Sequence, residues 1–198
     1  MKRHFFAVLA ATALFACNDS ETKTTTDSNT DSSASMNADT AASTTNNSTP
    51  ATMTADSATS QFLMKAADGG MAEVSAGEMA QNKATHADVK MFASMMVQDH
   101  TGANQQVKTL SSQRQVMLPA APSEEHTKKI AETSKMSGKA FDKAYMDMMV
   151  ADHKKTIALF QSASGNVGDA EVKTFITQTL PKLQTHLDSA QAIRKRLQ

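Results

Sequence analysis

The sequence has few of the residues that usually staple or decorate a small protein: one cysteine, one tyrosine, four prolines and no tryptophan among 198 residues. A single thiol excludes an intramolecular disulfide and a cysteine-based zinc site. Twenty basic residues balance twenty acidic ones, so no basic face for nucleic acid is legible, and the scarce aromatics leave no stacking platform for bases. There is no Gly-x-Ser-x-Gly elbow and no phosphate-cradling glycine loop. An enzymatic role therefore has no recognisable catalytic set, and the default reading is non-enzymatic. Long apolar runs are missing too, except at the very beginning.

That beginning reads MKRHFFAVLAATALFACNDS. Lys2 and Arg3 precede an apolar stretch that ends at Ala16, the layout of a secretory leader. The run of roughly 13 apolar residues is shorter than the ~20 a spanning helix needs. Leu14-Phe15-Ala16-Cys17 resembles the bacterial lipobox, in which the cysteine becomes the lipidated first residue. The expected organisation is a lipoprotein signal peptide over 1–16, a tether over 17–58 beginning at lipidated Cys17, and a folded domain over 59–198. The tether is almost entirely Ser, Thr, Asn, Asp and Ala and cannot bury enough surface to offset its ordering entropy. As a random coil it would span roughly 35 Å. The expected location is the bacterial cell envelope, at the outer membrane or periplasmic face, with the membrane as partner through the lipid anchor.

After residue 60 apolar residues recur at three- and four-residue spacing and alternating strand patterns are absent, which predicts an all-α domain. Long helices are expected over 57–82, 86–117, 138–164 and 168–196, with a shorter one over 123–136. Thr85 is a candidate N-cap, Pro119 and Pro122 break the chain, and Gly165-Asn166-Val167-Gly168 makes a turn. Pro181 lies inside the last pattern, where it should bend the helix or mark a late start.

The sequence MMVQDH, ending at His100, returns as MMVADH, ending at His153. In each copy the histidine continues an apolar stripe, Phe92 and Met96 to His100 and Tyr145 and Met149 to His153, so both should face inward. Asp99 and Asp152 are turned by about 100° from their neighbours, which places them at a seam or the surface. Glu73 shares a stripe with Phe62, Ala66, Gly69, Gly77 and Ala80, and His186 follows Leu183 by three and precedes Ala190 by four. Each long helix thus offers one inward polar residue: Glu73, His100, His153 and His186. A long crossover between the second and third long helices brings all four to heights within about 11 Å, whereas short up-and-down connections spread them over about 22 Å. The crossover runs the two MMVxDH helices parallel and is expected to set them side by side.

Phe62 with Gly69-Gly70 and Glu73-Val74, Val89 to Ala93 through Asp99-His100, Ser137-Gly138 with Phe141-Asp142 and Tyr145, His153, and Leu180-Pro181 through His186-Leu187 together resemble a bacterial family of unknown function. Its members are labelled predicted outer-membrane proteins, and the family is grouped with the ferritin-like four-helix bundles. The resemblance implies a ferritin-like bundle with a short extra helix in the crossover, and it implies no activity.

A Glu and three His in a bundle core suit zinc, iron or copper. The Glu-x-x-His motif of di-iron carboxylate bundles is absent, since Val97, Val150 and Leu183 stand three residues before the histidines, so a mononuclear site is the metal reading. The other reading is a hydrogen-bonded core network that only specifies packing, in an envelope structural or interaction module linked to stress tolerance. A metal-dependent oxidoreductase on the same residues is the third. Fourteen methionines read as flexible core filler before they read as Cu(I) thioether ligands. His86 and His126, near helix starts, are expected to be exposed.

Overall fold

The computed structural model describes residues 54–198. The leader expected over 1–16, Cys17 and the tether as far as residue 53 lie outside the described residues. Five helices follow in order: α1 (Ser57–Lys83), α2 (Ala87–Gln113), α3 (Glu124–Ser134), α4 (Gly138–Asn166) and α5 (Ala170–Arg196). The domain is all-α, four long helices packed as a bundle with α3 between α2 and α4. Among the described residues no helix is long and apolar enough to cross a membrane.

Capping side chains start the helices and also tie the bundle ends together. Asp56 accepts from the Thr59 amide at 2.8 Å at the start of α1 and from the Gly168 amide at 3.2 Å in the α4–α5 turn. Its helix therefore begins two residues inside the stretch expected as tether. Asp169 caps α5 through the amides of Glu171 and Val172, and its two carboxylate oxygens accept from Arg114 Nε and Nη2, both at 2.7 Å. The buried Arg114 also donates to the Leu110 carbonyl at 3.1 Å. That inward turn explains why α2 stops at Gln113, short of the expected 117. Gln115 takes a φ of 55°, and Val116 and Leu118 fold back onto the core instead of extending the helix.

The N-cap of α2 is His86, whose side chain accepts from the Asp88 amide, and not Thr85. Thr85 is drawn off by Asp142 of α4. The buried Asp142 carboxylate accepts from the Thr85 amide at 2.9 Å, the Thr85 hydroxyl at 2.6 Å and the His86 amide at 2.9 Å. His126 also departs from expectation: it is half-buried, 3.3 Å from the Asp68 carboxylate. Pro181 does not mark a late start, since α5 runs through it. The proline is exposed, so the carbonyl it leaves without a donor can turn to water.

These ties fix helix directions. The start of α4 meets the α1–α2 turn, the end of α2 meets the start of α5, and Arg196 at the end of α5 pairs with Asp88 at the start of α2 at 2.7 Å. Helices α1 and α5 therefore run one way and α2 and α4 the other, the single-crossover connectivity of ferritin-like bundles. The expected parallel pair is correct, but α2 and α4 are not side by side. Each packs on α1 and α5, so they face each other across the diagonal. The cause is the crossover: α3 lies on α1 and α4, so the chain passes over α1 and lands on its far side. The near side of α1 is already taken by α2, where a Cβ on Gly77 would stand 2.8 Å from Val97 Cγ2 and 3.1 Å from the Ala93 carbonyl. Gly69, on the same stripe, meets nothing within 4 Å.

The core is divided. One apolar cluster, with Phe62, Leu63, Phe160, Phe175 and Ile176, fills the end where α1 begins. The other, with Phe92, Met96, Phe141, Tyr145, Met146 and Met149, fills the opposite end. Most methionines of the doubled motif are core filler, as Met96, Met148 and Met149 show, while Met91, one turn before the first copy, is exposed. Asp142 carries the α1–α2 turn. Asp142→Ala should lower unfolding free energy by about 3 kcal/mol, because it strands two amides and a hydroxyl that a buried carboxylate had satisfied; urea melts at neutral pH measure this, with Asp142→Asn losing less.

Candidate metal centre

Between the two apolar clusters lies a polar layer. His100 of α2, His153 of α4 and His186 of α5 have ring centroids separated by 5.7, 5.5 and 5.4 Å, nearly an equilateral triangle. Their exposures are 7%, 0% and 2%. One nitrogen from each lies within 4.8 Å of the others. The structure thus brings together the three histidines that the stripe argument turned inward, from three different helices.

The outer nitrogens of two rings are committed. His153 Nδ1 lies 2.9 Å from the Met149 carbonyl, which can only accept, so this nitrogen carries the proton. His186 Nε2 lies 2.8 Å from Asp99 Oδ2. Burial works to raise the Asp99 carboxyl, but the bonds from His186 and Lys182 hold it below its ordinary value, so the carboxylate accepts and His186 Nε2–H donates. With each ring neutral, His153 Nε2 and His186 Nδ1 then present lone pairs to each other at 3.4 Å. His100 Nε2 is buried with no partner at all.

Burial keeps the rings neutral. It pushes His100 down to about 3, with His153 and His186 adding to the effect, and His153 down to about 4, with His186 adding. His186 is lowered as well, again by burial, against the pull of Asp99. Neutral imidazole is the form that ligates a metal.

Glu73, from α1, stands beside the triangle. Its Oε1 is 3.6 Å from His153 Nδ1, the nitrogen that faces away from the other rings, and its Oε2 is buried without a partner. Burial, helped by the charge on Asp152, raises its pKa to about 8. The Glu73–His153 approach is therefore between two neutral groups and is not an ion pair. Tyr145 OH is also buried and unpartnered, its pKa pushed well up by burial and by Glu73.

The aspartates of the doubled motif lie at seams, as their turn from the histidines requires. Asp152 accepts from Lys129 of α3 at 2.6 Å, and Asp99 bridges to α5 through His186 and Lys182. Asp99 does not support His100, the histidine next to it; it orients His186, 87 positions away. Sequence reasoning missed that role, and no local signal carries it, because the pairing depends on which helix occupies the seam. The Met149 carbonyl was equally hidden, although a histidine four residues after any helical residue can reach back to its carbonyl.

The profile of a family described as Domain of unknown function (DUF4142) matches residues 36–193. The chain belongs to that family. No curated protein matches it. Among solved structures, a DUF305 fragment from Deinococcus radiodurans superposes with a TM-score of 0.65 at 12% identity, over 72% of this chain and 99% of that one. At that identity the likeness concerns fold alone, a helical bundle shared between this family member and that fragment.

The buried groups predict a pH profile for the metal-free protein. His100 and His153 refuse protons that the unfolded chain, near 6.5, accepts, so stability falls as pH drops from 6.5 toward 4. Glu73 acts oppositely: its native carboxyl holds a proton up to about 8 while the unfolded one ionises near 4.5, so its contribution is full below 4.5 and declines as pH rises to 8. With the histidines outnumbering the one carboxyl, melting temperature should peak at roughly pH 6.5 to 7. Glu73→Gln should flatten the alkaline limb and steepen the acid limb, where Glu73 had partly offset the histidines, as thermal melts across pH 4–9 would show.

Proposed function

We propose that this domain binds one transition-metal ion through His100, His153 and His186. The observation that carries the reading is the pair of facing lone pairs at 3.4 Å, His153 Nε2 and His186 Nδ1, with the orphaned His100 Nε2 beside them. Two nitrogens each about 2.0–2.1 Å from a tetrahedral zinc stand about 3.4 Å apart. The widest separation in the set, up to 4.8 Å, closes by a movement of up to about 1.4 Å, within reach of small side-chain rotations. The bonds from the far nitrogens to Asp99 and to the Met149 carbonyl are the outer-shell partners that metal-bound imidazoles have.

A purely structural network fits the layer less well, because a half-satisfied buried polar network costs more than an apolar core, and here His100 Nε2 and Glu73 Oε2 have no partner while His153 Nε2 and His186 Nδ1 face each other with lone pairs. Zinc, iron and copper all suit imidazole. Glu73, expected as a fourth ligand, lies outside the converging group, beside the His153 nitrogen that faces away from the other rings.

The metal reading concerns a protein held at the bacterial envelope through Cys17, by a tether long enough to keep the bundle clear of the membrane. The leader and the lipobox-like Leu14-Phe15-Ala16-Cys17 support that placement. The chain expressed with Cys17→Ser should lose incorporation of labelled fatty acid and leave the membrane fraction, and unchanged labelling would sink the anchor.

Untagged protein should carry about one metal per chain by elemental analysis, and added Zn(II) should raise the melting temperature of stripped protein. Asp99→Asn, which keeps the shape but not the charge beside His186, should weaken metal binding roughly 10–100-fold in a competition assay with a chromophoric chelator. Absence of stoichiometric metal together with a melting temperature indifferent to Zn, Cu and Fe would rule the site out.

A further inference from the structure

Three histidines leave a tetrahedral ion one open position, and the structure shows what borders the triad. A cavity of about 50 Å³ adjoins it, lined by His100, His186 and Glu73 and by the apolar Ala103, Phe160 and Phe175. Compared with the triad, Ala103 and Phe160 lie about one or two helical turns toward the end where α1 begins, on α2 and α4, and Phe175 lies further along α5 in the same direction. The cavity is therefore off one face of the triangle. The other face is packed: Met96 and Met149, one turn the opposite way, are buried at 0% and 1% exposure.

The cavity's surface is mostly hydrocarbon, with His100, His186 and charged or polar side chains such as Asp99, Asn104 and Lys182 also on its lining, and one buried carboxyl there has an oxygen without a partner. That side chain is Glu73, 5% exposed, whose Oε2 bonds to nothing. A space of this size holds no more than a few waters. A mostly apolar pocket with a few convergent polar atoms selects by size and by hydrogen bonding.

We propose that this cavity is the binding site for a small exogenous ligand of up to three heavy atoms, neutral or singly anionic. The ligand occupies the fourth position of the metal and takes a hydrogen bond from the Glu73 carboxyl. The proposal rests on the three-histidine metal reading and adds a ligand class and a residue to it. Glu73 acts on the ligand and not on the ion, in keeping with its position beside His153 and outside the group of converging nitrogens. An organic substrate of ordinary size has no room.

The test uses the full chain loaded with Co(II), whose visible spectrum reports coordination, titrated with azide as the small linear anion. Azide should change the spectrum saturably at one equivalent per bound cobalt. Glu73→Ala should keep cobalt stoichiometry and weaken azide binding at least about tenfold, and Glu73→Gln should recover part of the loss by restoring a donor. Ala103→Leu, which fills the cavity, should abolish the azide response while the cobalt spectrum stays as in the wild type. If cobalt does not bind in stoichiometric amount, the metal reading falls and this proposal with it. If cobalt binds and azide does nothing, only the open-position proposal is overturned. An azide response unmoved by both Glu73→Ala and Ala103→Leu places the ligand elsewhere and overturns it too.

Discussion

Three imidazoles and a carboxyl sit in the middle of a four-helix bundle, where hydrocarbon would cost nothing and where each polar group must find a partner or lose its hydration uncompensated. The rest of the structure is arranged around that constraint. The polar layer separates two apolar clusters, so the bundle is in effect two short cores stacked on a plane of nitrogen. Closing that plane requires each of four helices to deliver its residue at one height, which up-and-down connectivity would not do. The crossover through α3 is the solution, and it costs the chain a segment in which α3 is held to its neighbours largely by polar contacts, such as Lys129 with Asp152 and His126 with Asp68.

The same constraint explains the ties at the bundle ends. A layer whose groups must meet within a fraction of an ångström cannot tolerate sliding helices. Asp142 locks the α1–α2 turn to the start of α4, and the bidentate Arg114–Asp169 pair locks the end of α2 to the start of α5. Both join elements more than fifty residues apart in sequence. They set the vertical register on which the triad depends, while Asp99 and the Met149 carbonyl set the ring orientations within it. Position comes from the ends of the bundle, and tautomer comes from the seams.

Much of this was legible in the residues. Stripe spacing turned His100, His153, His186 and Glu73 inward, and the height argument showed that a crossover, with α2 and α4 parallel, would bring them level, the topology the family resemblance implied. What misled was the step from parallel to adjacent. Two copies of MMVxDH suggest neighbours, but the helix that a crossover lands beside depends on which helix it passes over, and that is decided by the packing of α3 on α1. Thr85 was a sound capping residue by type, yet a buried carboxylate 57 positions away outbid the helix for its amide and hydroxyl.

The sequence by itself determined which residues face the core, because helical periodicity is a local property readable from spacing within a turn or two. Connection lengths left room for a crossover, but the ties at the bundle ends decided the helix directions. Only the tertiary structure decided what those inward residues are to one another. Whether a ring nitrogen carries a proton or a lone pair depends on an acceptor supplied by another helix, as Asp99 supplies it to His186. Whether an orphaned carboxyl faces packed methionine or an empty pocket depends on side chains from all four long helices, and no local pattern encodes it.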